Sequence, residues 1–186
     1  MAPIEPIDAP LSLDALAAVV RASSNFRFAW QWFSCPAGAR SGIDGARDIL
    51  AAVIRRAECH AFLAESADAS AFTIEPLHEH AEFAPADGAF EQVLARAAAD
   101  QLGAYSRIVS QPTAAQVSQI GGLFGSLGPY RAFELNPGAV SACKTCKHHN
   151  NHLFTSWFYG VAWDWLFCVR WTESPFIWIG CLSDTD

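Results

Sequence analysis

The chain has 186 residues, 52% of them apolar, with six cysteines, seven tryptophans and a net charge of −7. That length suits one domain with a sizeable core, and no stretch offers the ~18 uncharged apolar residues a membrane helix requires. The charge is lopsided: residues 1–100 carry seven arginines, no lysine and fourteen acids, whereas residues 101–186 balance five bases against five acids. An acidic surface disfavours nucleic acid, where non-specific binding depends on neutralising phosphates, and it suits a basic protein partner.

Residues 1–8, with prolines at 3 and 6, read as an extended N-terminal arm. The arm has neither the basic start nor the apolar run of a secretory leader, so the expected compartment is cytoplasmic and reducing. Pro10 is predicted to open a helix with Leu13, Leu16, Ala17 and Val20 on one face. "NFRFAWQWFSC" follows as a strand. Ser41 and Asp44 resemble a capping box before a helix whose Ile43, Leu50, Val53 and Ile54 face inward. "HAFLAES" and "AFTIEPL" read as strands. "DGAFEQVLARAAADQLG" is the clearest helix, with Phe90, Val93, Leu94 and Ala97 on one side and Gly103 as its stop. "AYSRIVS" reads as a strand, "PTAAQVSQI" as a short helix ended by Gly121, and "YRAFEL" as a strand. "GVAWDWLFCVRW", the turn "TESP" and "FIWIGCLS" form a C-terminal hairpin near residues 160–183. The pattern predicts a single α+β domain over residues 1–186, with a mixed or antiparallel sheet and three to four helices packed on it.

Two heptapeptides share a pattern: "AWQWFSC" at residues 29–35 and "AWDWLFC" at residues 162–168. Their flanks differ, so duplication does not explain them. Strand alternation puts Phe28, Trp30 and Trp32 on one face, and likewise Trp163, Trp165, Phe167, Val169 and Trp171. Both segments are expected in one sheet, as neighbours, with these aromatics in the core rather than on an exposed stacking platform. Gln31 and Asp164 are the polar interruptions. If their face is open, they mark a groove for a small-molecule ligand.

"SACKTCKHHNNH" is the chemical outlier. Cys143 and Cys146 form a CxxC, and His148, His149 and His152 follow, with the chain's only lysines, Lys144 and Lys147, interleaved. Two thiolates so spaced reach one tetrahedral ion, and zinc suits the set Cys143, Cys146, His149 and His152. His78 and His80 of "LHEHAE" are distant alternative donors. A redox dithiol and an ordinary polar loop are the competing readings of the same residues.

His80 and Glu82 followed by Cys143 and Cys146 resemble the H-x-E…C-x-x-C pattern of zinc-dependent deaminases. The resemblance implies a zinc held by His80, Cys143 and Cys146, with Glu82 moving protons at the bound water. This chain departs from that family in having Ala142 where a proline precedes the first cysteine, and in its long gap between motifs. "CPAGARS", from Cys35 to Ser41, resembles the Cys-x5-Arg loop of cysteine phosphatases but is one residue short, so it reads as a strand-to-helix turn with a buried thiol.

"GGLFGSLGP" lacks any phosphate-loop ending and reads as a glycine-rich connection. With no complete catalytic set legible, the leading expectation is a cytosolic protein-binding domain of the immunity-protein kind, neutralising a basic toxin. Its partner surface would include Asp164, Asp184, Asp186 and Phe124.

Overall fold

In the computed structural model, which describes residues 5–22, 26–34, 83–99, 111–135 and 163–184, period-2 segments become strands and period-3.6 segments become helices. The order is β1 (Glu5–Pro6), α1 (Asp14–Ala22), β2 (Phe26–Ser34), β3 (Phe83–Pro85), α2 (Ala89–Ala99), α3 (Ala114–Gly125), β4 (Tyr130–Leu135), β5 (Trp163–Trp171) and β6 (Phe176–Asp184). The six strands form one antiparallel sheet in the order β1-β2-β6-β5-β4-β3. This is the expected α+β arrangement, with the C-terminal hairpin turning at residues 172–175. The outermost strands, β1 and β3, are two and three residues long, and each contains a proline.

The described parts of both heptapeptides, residues 29–34 and 163–168, lie in this sheet, on β2 and β5. They are not neighbours. β6 sits between them, pairing Phe26 with Asp184 through Ser34 with Phe176 on one side, and Trp163 with Asp184 through Arg170 with Ile177 on the other. The longer strand runs win the central positions because they offer more ladder hydrogen bonds and more buried surface.

Helices α1, α2 and α3 cover one face. Leu13, just before α1, and Leu16, Ala17 and Val20 on it are buried, the i, i+3, i+4, i+7 stripe of an amphipathic helix. The helix starts at Asp14 rather than at Pro10. The Ser12 hydroxyl accepts from the Asp14 N–H at 3.3 Å and donates to its carboxylate at 2.9 Å, which organises the first turn locally. On α2, Phe90, Leu94 and Ala97 are buried and Val93 packs against the core, as the periodicity predicts.

α3 passes through Gly121 and ends four residues later. Its start is strongly specified by a reciprocal capping box: Thr113 Oγ1 accepts from the Gln116 N–H at 3.3 Å, and Gln116 Oε1 accepts from the Thr113 N–H at 2.8 Å. Burial of Ile120 and Phe124, one turn apart, carries the helix across the intervening glycines. It stops where Ser126 folds back, its N–H and hydroxyl both donating to the Leu123 carbonyl. Thr113→Ala is expected to lower stability by about 1 kcal/mol, seen as a lower urea midpoint at unchanged slope. A Thr113→Ser variant that fell equally far would show that the cap is not the cause.

The helix-side core is aromatic. The Phe90 ring meets Phe124 edge-on at 4.9 Å, Phe167 at 5.3 Å and Trp178 at 5.6 Å. Phe124 also stacks on Trp171 at 6.2 Å and 13°, and its carbonyl accepts from the buried Trp171 indole N–H at 3.1 Å. Trp32 and Trp171 are at most 2% exposed, interior scaffolding as expected, and Trp178 joins them fully buried. Trp178 lies flat across Gly180: a Cβ there would fall within 2.6 Å of the ring atoms Cη2, Cζ2 and Cζ3. The opposite face is buried as well, through Phe33, Phe133, Cys168, Ile177 and Ile179, each 4% exposed or less.

Candidate functional site

The best-defined polar constellation joins the start of α2 to β4. Gly88, at φ +82°, lets the chain turn sharply between β3 and α2, a backbone setting that L side chains rarely adopt. The turn brings Asp87 and Glu91 against β4. Asp87 accepts from Arg131 Nε at 2.7 Å with one oxygen and from the Ala132 N–H at 2.9 Å with the other. Glu91 accepts from the Gly88 N–H at 2.7 Å and from the Tyr130 hydroxyl at 2.5 Å.

All four carboxylate oxygens therefore hold donors from the chain itself. Burial of the Tyr130 phenol, then its hydrogen bond to Glu91 and the negative charge of Glu91 and Asp87, push its pKa well above the usual tyrosine value. A phenol so held stays protonated and donates to Glu91, the wrong state for a nucleophile or base. The cluster is a clamp fastening α2 to the sheet. Sequence reading missed it because its bonds span 39 to 45 residues. Only the Gly88–Glu91 spacing, one limb of a capping motif, was locally legible.

Glu134 is the second unusual acid. It is half-buried on β4, paired in register with Phe167, and loss of hydration pushes its pKa up. A raised folded-state value means that this site favours the neutral acid. Its stabilising contribution is full below the ordinary carboxylate range and is lost as pH rises through the raised value. Glu134→Gln is therefore expected to raise the melting temperature at pH 7, with the gain shrinking as pH falls to 4. An equal gain at both pH values would exclude titration of Glu134 as the cause.

Of the residues expected at a partner surface, Asp164 and Asp184 lie in neighbouring rows and Phe124 is in the core. Phe124 is fully buried between the helices and the sheet, because residues 121–125 of the segment read as a glycine-rich connection are the last turn of α3, and its ring belongs to the core; residues 126–129 connect to β4. Asp164 and Asp184 occupy adjacent rows at the open end of the β5–β6 hairpin, Asp164 beside Ser183 and Asp184 beside Trp163. Gln31 is half-buried and donates to the Trp32 carbonyl at 3.2 Å. Asp186, Glu82 and the candidate metal donors Cys143, Cys146, His149, His152, His78 and His80 lie outside the described residues, as do Cys35, Ser41, the helix expected near residues 43–54 and Gly103. Among the described residues no group of three or more His, Cys, Asp or Glu is placed to hold a metal.

Exposed charge is one-sided. Among described residues with placed side chains, Glu5, Asp8, Asp14, Asp87 and Glu173 are exposed against the single base Arg131, which is paired with Asp87. Glu5 and Glu173 lie at the same end of the sheet, since Glu5 pairs with Ser34, Ser34 pairs with Phe176, and Glu173 sits in the turn just before Phe176. No described helix is long and apolar enough to cross a membrane. Comparison with protein-family models, curated proteins and solved structures finds no match to this chain.

Proposed function

We propose that this chain is a protein-binding domain whose acidic surface seats a basic protein partner, in the manner of an immunity protein that neutralises a toxin. The supporting observation is the exposed-charge imbalance: beyond the Asp87–Arg131 pair, four further acids and no further base are exposed among the residues whose exposure is described. A negative field of this kind speeds encounter with a basic protein and fixes its orientation, and salt weakens it. Among the described residues, Trp32, Trp171 and Trp178 are committed to the core and are closed to stacking on a small ligand.

The test is co-expression with, and surface-plasmon measurement against, the product of a neighbouring gene. Association is expected to slow at least tenfold between 50 and 500 mM salt. A Glu5→Lys, Asp8→Lys, Glu173→Lys triple variant should reproduce that slowing at low salt, and an Asp164→Lys, Asp184→Lys pair probes the other end of the sheet. An on-rate indifferent to salt and to both variants overturns the electrostatic reading. Failure to bind, together with turnover of a small substrate, overturns the binding role itself.

One observation favours a second reading, a zinc-dependent hydrolase or deaminase using His80, Glu82, Cys143 and Cys146. Phe83, next in sequence after Glu82, pairs with Leu135, the last residue of β4. Cys143 follows Leu135 by eight residues, a span of at most about 28 Å of extended chain. The chain therefore enters β3 at Phe83 and leaves β4 at Leu135 at one corner of the sheet, and the two halves of the motif lie outside the described residues. Tag-free protein should then carry stoichiometric zinc, and Glu82→Gln should lose turnover while keeping the metal. A zinc content near zero after zinc addition ends this reading.

A further inference from the structure

We draw no further inference here: the strongest candidate, the exposed small-residue face of α3 formed by Ala115, Ser118, Gly122 and Gly125, carries nothing because no feature of the structure shows what covers it.

Discussion

Gly180→Ala is expected to destabilise the protein by about 3 kcal/mol, at the upper end for overpacking. The added methyl would occupy the space of the Trp178 indole, whose three nearest ring atoms lie within 2.6 Å of it. Trp178 cannot swing aside cheaply, since it is fully buried and packs against Phe28, Phe90 and Phe124. Nor can the backbone yield, because Gly180 is paired on both sides, with Trp30 of β2 and Phe167 of β5. Chemical denaturation gives the measurement. A Trp178→Leu background should absorb much of the alanine's cost, giving a coupling of at least ~1 kcal/mol in a double-mutant cycle. Additive effects would show that the indole is not the obstacle.

Phe90→Ala is expected to cost about 3–5 kcal/mol. Its ring is fully buried and meets rings on four other elements: Phe124 on α3, Tyr130 on β4, Phe167 on β5 and Trp178 on β6. Removing it leaves a cavity walled by stiff aromatics that cannot collapse to fill it. Phe90→Leu, which restores most of the volume, should recover more than half of the loss. If leucine and alanine cost the same, the ring-to-ring geometry rather than volume is what holds α2 down.

What the sequence made legible follows from the range of the signals. The α1 stripe at Leu13, Leu16, Ala17 and Val20 and the α2 stripe at Phe90, Leu94 and Ala97 are local periodicities, and both are buried as written. Alternation along β5 sorts Phe167, Val169 and Trp171 onto the helix side and Cys168 onto the other. Order within the sheet is a different matter. Nothing in a strand's own pattern tells it that β6 will come between β2 and β5. Local punctuation also misled at Gly121, where glycines signal a stop but the burial of Phe124 continues the helix. The Asp87–Arg131 and Glu91–Tyr130 contacts were illegible for the same reason as the strand order: each joins residues far apart in sequence. The Cys/His stretch, read as a metal site, a redox dithiol or an ordinary polar loop, lies outside the described residues.

The position of β6 has a consequence for biosynthesis. The last strand in sequence order is the one inserted between β2 and β5, so a nascent chain halted before Phe176 has made both flanking ladders' outer rails with nothing to join them. Loop closure over the residues between β2 and β6 must precede that insertion, which predicts slow folding of the central ladders. Until then Trp32 lacks Trp178, its register partner on β6.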